Sequence, residues 1–221
     1  MSNDAVNFKG LGMSLLATLL FAVLTASAWA QGPAAEGSQF LRMNPGIPVE
    51  TGKKIEVIEF FSYGCPHCAD FEPYLQAWTK ALPADVSFRR VPVMFQPRWV
   101  DLAKVFYTLE AMGEDVRLSP EVFVAIHAKG LALWEPTKFF DWAATKGLDR
   151  KKVEDLYNSF TMSGRINRAK QLAQVYNVQE VPMVIIDGKF VTSPVRAGTH
   201  AATPAVMTEL VNKARAERPK S

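Results

Sequence analysis

Two segments predict the central strands of a sheet. Residues 55–61 are apolar on both faces apart from two glutamates, as is typical of a strand that is covered on both sides. Residues 86–93 are predicted to form a second strand, and apolar positions from Phe71 to Trp78 recur at helical spacing between the two. We therefore predict a helix over residues 66–82. A helix that joins two consecutive strands indicates a parallel βαβ unit.

The middle of the chain shows only helical patterns. Pro120 should occupy the first helical position of the second of these helices, and Asp149 should cap the fourth. The five predicted helices cover residues 99–112, 119–130, 137–146, a segment that begins after Asp149, and 163–176. Strand patterns then return at residues 183–186 and 189–192, on either side of the hairpin sequence Asp187-Gly188. A short first strand at 40–43 and a last helix from Thr203 complete the expected elements.

The N-terminus reads as a targeting segment rather than part of the fold. Residues 11–24 are apolar, and Ala28 and Ala30 are the small residues of a cleavage site. We predict a Sec-type signal peptide over residues 1–30, cleaved after Ala30, which places the cysteines in an oxidising compartment. An uncleaved membrane anchor is the alternative. The net charge of +3 is small and forms no basic block, so nucleic acid is not an expected partner.

The two cysteines of the chain lie in one motif, Cys65-Pro66-His67-Cys68. The motif follows the strand at 55–61 and begins the helix, so the helix dipole and free amide groups should stabilise a Cys65 thiolate. His67 in the first turn should add to this effect. A zinc site would need two further ligands, and His127 and His200 show no ligand spacing, so no metal is predicted.

This motif resembles that of the DsbA family of bacterial disulfide oxidoreductases. The resemblance includes Glu59-Phe60-Phe61-Ser62 before the cysteines and Val181-Pro182-Met183 far downstream. It implies an α/β, thioredoxin-like fold with an inserted all-helical domain. The expected boundaries are residues 31–96 and 177–221 for a discontinuous thioredoxin-like domain and 97–176 for the insertion.

The resemblance also implies roles for single residues. Cys65 is the expected nucleophile, Cys68 the resolving thiol, and Pro66 and His67 tune the pair. Val181 should bind substrate backbone beside a cis Pro182. Glu59 interrupts a buried strand and matches an acidic position of the family, so we interpret it as the proton acceptor of Cys68. Glu56, in the other phase of the strand, is expected on the surface. An apolar substrate groove is expected between Tyr63, Met94, Phe95 and Tyr176.

The implied activity is donation of the Cys65–Cys68 disulfide to secreted proteins in the periplasm. It requires no cofactor, and its partners are unfolded proteins with free thiols and a DsbB-like, quinone-linked membrane protein that restores the disulfide. The chain is expected to be a monomer. A reductase or isomerase on the same fold and a non-enzymatic peptide-binding chaperone are the alternatives.

Overall fold

The computed structural model describes residues 33–219. The predicted signal peptide and its cleavage site lie outside this range. Within it, none of the helices is long and apolar enough to cross a membrane.

A five-stranded mixed sheet forms the centre of the fold. Its spatial order is β1-β5-β4-β2-β3. β2 and β3 are parallel and are joined by helix α1, as predicted, whereas the other neighbouring strands pair in antiparallel fashion. The strands are β1 (Leu41–Arg42), β2 (Ile55–Phe61), β3 (Val86–Pro92), β4 (Met183–Ile186) and β5 (Phe190–Thr192), and α1 is Pro66–Lys80.

The segment between β3 and β4, which lies wholly within the described residues, contains helices and loops but no strand, and we call it the helical stretch. Its helices are α2 (Pro97–Ala111), α3 (Asp115–Phe123), a π-helical segment (Val124–Ala128), α4 (Pro136–Thr145), α5 (Arg150–Tyr157) and α6 (Phe160–Val175). After β5 come α7 (Pro194–Ala197) and α8 (Thr203–Glu217).

The predicted start of the second helix of the helical stretch was wrong, and the predicted cap of the fourth was confirmed. α3 begins at Asp115, and Pro120 lies inside it rather than at its first position. The Ser119-Pro120 pair indicated a later start. The acidic side chain of Asp115 in the first turn is stabilised by the positive end of the helix dipole. Asp149 does cap α5, where its carboxylate accepts a hydrogen bond from the Lys152 amide at 2.8 Å.

The hairpin turn between β4 and β5 has the predicted geometry. Asp187 and Gly188 both have positive φ values, 54° and 62°, and the Lys189 amide donates to the Ile186 carbonyl at 3.0 Å, as a type I′ turn requires. The second position also has no room for a side chain, because a Cβ on Gly188 would lie 1.9 Å from the Ile47 carbonyl oxygen. The second strand begins one residue later than predicted, because Ile186 pairs with Phe190.

Both faces of the sheet are covered by apolar side chains. Val57 packs with Phe71 of α1 and Leu210 of α8 on one face, and Ile58 packs with residues of the helical stretch on the other. Glu56 shares the face of Ile58 by strand alternation. It is therefore buried, 1% exposed, and pairs with Arg89 Nε at 3.1 Å. The expectation of a surface position for Glu56 was wrong because helices cover this face too.

Candidate active site

The two cysteines lie at the junction between β2 and α1. Cys65 occupies the capping position with an extended backbone (φ −96°, ψ 118°), and Pro66 is at the start of the helix. Proline suits this position because the amide hydrogen that it lacks would have no partner in the first turn. The Cys65 amide closes the preceding turn by donating to the Ser62 carbonyl at 3.0 Å. Cys65 is thereby held at the positive end of the α1 dipole.

Cys65 has the surroundings of a stabilised thiolate. Its pKa is lowered from 9.0 to about 6. The largest contribution is a hydrogen bond from the Cys68 thiol, followed by the backbone amides of Cys68 and His67 and then by the charge of His67, while burial opposes the shift. The thiolate is the reactive form of cysteine, so Cys65 is primed for thiol chemistry near neutral pH.

Cys68 lies in the opposite kind of environment. It is 1% exposed, and its pKa is raised well above the usual value. Burial is the main cause, and the hydrogen bond to Cys65 and the negative charges of Cys65 and Glu59 act in the same direction. Two thiols one helical turn apart therefore differ strongly in acidity.

In front of Cys65 lies the Val181–Pro182 peptide bond, which is cis as expected. The Cys65 thiol donates a hydrogen bond to the Val181 carbonyl at 3.4 Å. A cleft of about 340 Å³ lies beside this contact. Its lining includes His67, Val181, Pro182, Val195 and His200. The structure thus brings the motif next to the distant Val181-Pro182 sequence.

A buried ionic cluster lies behind the cysteines. Arg90 of β3 pairs with Glu59 of β2, with Nε and Oε2 2.8 Å apart but not aligned as a hydrogen bond. Arg90 also donates a hydrogen bond to Glu72 of α1. Both carboxylates are almost completely buried, so the cluster places one positive and two acidic groups in a site with little access to water.

The pKa values of the two carboxyl groups in this cluster are raised. Burial, reinforced by the charge of Glu72, raises the pKa of Glu59 to about 7 against the opposing effect of Arg90. The pKa of Glu72 is also raised by burial, again opposed by Arg90. A carboxyl group with a pKa close to the working pH can both accept and return a proton.

Glu72 and Arg90 were missed by the sequence analysis. A signal for Glu72 was present, because Cys68, Glu72 and Leu75 share one helix face at i, i+4 and i+7. Arg90 gave no such signal. It follows another arginine in the strand, and nothing local shows which of the two points toward Glu59.

The helical stretch holds the loop that precedes Cys65. The Tyr63 hydroxyl is hydrogen bonded to Ser119 Oγ at 2.6 Å, and His127 Nε2 donates to the Tyr63 carbonyl at 2.8 Å. At Gly64 the loop packs so closely on Trp99 that a Cβ would lie 2.3 Å from the indole nitrogen. The position of Cys65 therefore depends on the helical stretch as well as on the sheet.

The expected groove of four apolar residues does not form as one surface. Tyr63 and Tyr176 are buried in the core. Met94 and Phe95 line a separate cleft beside Lys170 of α6. The predicted groove was wrong for Tyr63 and Tyr176 because the sequence does not show how closely the helical stretch packs on the sheet.

His200 lies beside the motif, contrary to the expectation from its spacing. Its ring stacks on that of His67 with centroids 6.3 Å apart. Nitrogen atoms of both rings and a carboxylate oxygen of Asp70 lie within 4.8 Å of one another. The loop between α7 and α8 therefore brings a third potential metal ligand to the first turn of α1.

Comparison with known proteins agrees with this geometry. Residues 56–201 match the family model of the DSBA-like thioredoxin domain. The thiol:disulfide interchange protein DsbA of Bordetella parapertussis is 38% identical over 203 residues, which cover 91% of this chain and 93% of the relative. The chain belongs to the DsbA family.

Solved DsbA structures share the fold as well. The crystal structure of Pseudomonas aeruginosa DsbA is 38% identical, covers 82% of this chain and 95% of its own, and superposes with a TM-score of 0.79. The oxidoreductase DsbA of Xylella fastidiosa is 27% identical, with coverages of 80% and 96% and a TM-score of 0.74.

These matches confirm the predicted fold class, which is thioredoxin-like with a helical insertion. They also establish the chain as a thiol:disulfide oxidoreductase of the DsbA family, which works through a cysteine pair.

Proposed function

We propose that this oxidoreductase introduces disulfide bonds into secreted proteins by donating a Cys65–Cys68 disulfide. The observation that supports this direction is the unequal acidity of the two thiols. Stabilisation of the Cys65 thiolate favours the reduced pair, and a pair that favours its reduced form is a strong oxidant as a disulfide.

The proposed reaction consists of two thiol–disulfide exchanges. A substrate thiolate attacks Cys65 Sγ, the Cys65–Cys68 bond breaks, and Cys68 leaves as a thiolate that takes up a proton. A second thiolate of the substrate then attacks its own sulfur in the mixed disulfide, and Cys65 leaves as a thiolate. The substrate is oxidised by two electrons and the cysteine pair is reduced by two electrons.

The surrounding residues have distinct proposed roles. Val181 offers its carbonyl next to Cys65 and, with Pro182, would pair with an extended substrate backbone. Pro66 starts the helix that stabilises the thiolate, and His67 adds its charge. Glu59 accepts the proton of Cys68 when Cys68 attacks a mixed disulfide, for which a pKa of about 7 is suitable.

The proposed setting is the periplasm, reached through the predicted signal peptide with cleavage after Ala30. The substrates are unfolded secreted proteins with free thiols, and a DsbB-like membrane protein linked to quinone restores the disulfide. We propose a monomer that needs no cofactor or nucleic acid, with a thioredoxin-like domain of residues 31–96 and 177–221 and an insertion of residues 97–176.

A redox titration tests this function. The purified protein is equilibrated with mixtures of reduced and oxidised glutathione in the presence of a chelator, and free thiols are counted after alkylation and mass spectrometry. A strongly oxidising pair remains reduced until oxidised glutathione is in large excess. An intermediate potential would favour the reductase or isomerase, and a pair that does not exchange would favour the peptide-binding chaperone.

A further inference from the structure

Three potential metal ligands converge at the mouth of the Val181–Pro182 cleft. His67 and Asp70 are one turn apart on the same face of α1. His200 comes from the loop between α7 and α8, more than a hundred residues away in the chain. One ligand atom from each side chain lies within 4.8 Å of the other two.

The spacing of these atoms is close to that of a metal site. Ligands that surround a tetrahedral Zn²⁺ ion at ~2.1 Å lie about 3.4 Å from one another. The His67 Nδ1 and Asp70 Oδ2 atoms are 3.8 Å apart, which is too long for a hydrogen bond between them. Small rotations of the two exposed side chains, which are 74% and 63% accessible, would close the remaining distance.

An ordinary surface ion pair explains only part of this arrangement. A histidine and an aspartate at i and i+3 are common on helices and need no third partner. Here a second imidazole from a distant segment stacks on His67, and the Phe71 ring lies 6.3 Å from the ring of His200 and helps to fix it. Two imidazoles and one carboxylate form a donor set that suits borderline divalent cations.

We propose that His67, Asp70 and His200 bind a divalent transition-metal cation of the Zn²⁺ class at the mouth of this cleft. Three protein ligands leave one coordination position open to water or to a ligand from solution. Because His67 and His200 both line the cleft beside Val181 and Pro182, a bound ion would lie in the path of an extended peptide. Binding would therefore slow thiol oxidation, an effect that depends on the proposed function, whereas binding itself does not.

Binding is tested on the oxidised protein, in which the two cysteines are joined and cannot act as ligands. The full chain is freed of metal with a chelator and titrated with Zn²⁺ in competition with a chromophoric chelator. We expect one ion per chain. Loss of a residue that only hydrogen bonds to a metal ligand already lowers metal affinity by about 10–100-fold. Loss of a ligand itself should cost no less, so His200→Gln and Asp70→Asn should each weaken binding at least about tenfold.

Two matched variants control for surface charge and for histidine content. Asp155→Asn removes an exposed helical carboxylate that pairs with Lys151, and His127→Gln removes the third histidine. Both should bind Zn²⁺ like the unchanged protein, and circular dichroism confirms that all variants are folded. Equal affinities for His200→Gln and the unchanged protein, or equal weakening by His127→Gln, would overturn the proposed site.

The effect on activity is measured separately as a ratio. The rate of oxidation of a dithiol peptide is compared with and without saturating Zn²⁺ for the unchanged protein and for His200→Gln. We expect a several-fold decrease in the first and a ratio close to one in the second. Tight binding without any decrease would overturn the obstruction of the cleft, and failure of the oxidase function itself would be visible in the metal-free rate.

Discussion

The two sides of the Cys-Pro-His-Cys motif differ more than their separation of one helical turn suggests. The front presents Cys65, a backbone carbonyl and an open cleft, and the pKa of Cys65 is lowered. The back encloses Cys68 with Glu59 and a buried arginine, and the pKa of Cys68 is raised. One helix start thus provides a sulfur of low pKa beside the cleft and an enclosed sulfur of raised pKa that needs help to lose its proton.

The largest test of this difference exchanges each cysteine for serine. Cys65→Ser should abolish oxidation of a dithiol peptide because the remaining cysteine, Cys68, is buried and has no partner with which to form a disulfide. Cys68→Ser should also stop turnover, but its Cys65 thiolate should attack oxidised glutathione, release one glutathione thiolate and keep the other glutathione as a mixed disulfide. This adduct should accumulate because no second cysteine can attack it from the protein side. Non-reducing electrophoresis and mass spectrometry of the adducts decide between the two roles. Adducts that accumulate in Cys65→Ser instead would reverse the assignment.

The buried charge behind Cys68 predicts a large effect on stability. Arg90→Met leaves Glu59 and Glu72 buried without their positive partner and should lower the free energy of unfolding by about 3–5 kcal/mol. Their pKa values would rise further above the unfolded value of 4.5. A carboxyl group whose pKa is higher in the folded than in the unfolded protein lowers the free energy of unfolding once the pH rises above its unfolded pKa. The destabilisation by Arg90→Met should therefore be larger at neutral than at acidic pH.

Arg89→Met is the matched control for this variant. Arg89 is the preceding residue of the same strand, but it points to the other face, pairs with Glu56 and is 28% exposed. Its loss leaves one buried carboxylate instead of two, so the destabilisation should be roughly half as large. Urea unfolding of both variants provides the measurement. Equal losses would show that the cluster behind Cys68 is not the dominant buried charge.

Glu59→Gln should separate the two attacks that the cysteines make. A general base contributes about a hundredfold or more to the rate of a proton-coupled step. We expect about a hundredfold slower attack of Cys68 on a preformed mixed disulfide between Cys65 and glutathione. Attack of the reduced Cys65 on oxidised glutathione should change little, because this thiol is already ionised. Stopped-flow release of glutathione measures both steps.

Glu72→Gln is the control for the proton acceptor. Glu72 is buried against the same arginine, but Glu59 is the carboxylate whose charge contributes to the raised pKa of Cys68. The control variant should resolve the mixed disulfide at nearly the original rate. Similar slowing in both variants, or slowing of both attacks by Glu59→Gln, would indicate a structural role for the cluster.

The thiolate on the front predicts an unusual order of stability. The lowered pKa of Cys65 stabilises the folded, reduced protein fully above about pH 9, and this stabilisation decreases as the pH falls to about 6. The oxidised protein has no thiolate, and its small ring adds little. At neutral pH the reduced form should be more stable by on the order of 1 kcal/mol after screening by solvent. Urea unfolding of both forms with a chelator at neutral and acidic pH would reveal a gap that shrinks in acid.

His67→Leu should have the smallest effect. The imidazole contributes less to the lowered pKa of Cys65 than the Cys68 thiol and the backbone amides do. The pKa of Cys65 should therefore rise by about one unit or less, and the disulfide should become slightly less oxidising. The pH dependence of iodoacetamide alkylation gives the pKa, and equilibrium with glutathione gives the potential. An effect on only one of them would contradict their common origin in the thiolate.

The front of the site was more predictable than the back because it is local in sequence. The strand, the turn and the helix start around Cys65 follow from one continuous segment, and Glu59 stands out as a charge in an apolar strand. Arg90 and His200 could not be found in this way. The pairing of Arg90 depends on which faces the strands bury, and the position of His200 beside His67 depends on where a loop more than a hundred residues away ends. Neither is encoded by spacing within the motif.

The contacts of Tyr63, Gly64 and Trp99 have a consequence for the modularity of this protein. A chain shortened to join β3 directly to β4 would keep every strand of the sheet and both cysteines. It would also expose the Phe61 and Tyr63 rings, which pack against Phe106 of α2, and it would remove the partners of the Tyr63 hydroxyl and carbonyl. The inserted helices therefore support the loop that precedes Cys65. A minimal version of the enzyme would need new side chains to replace these contacts.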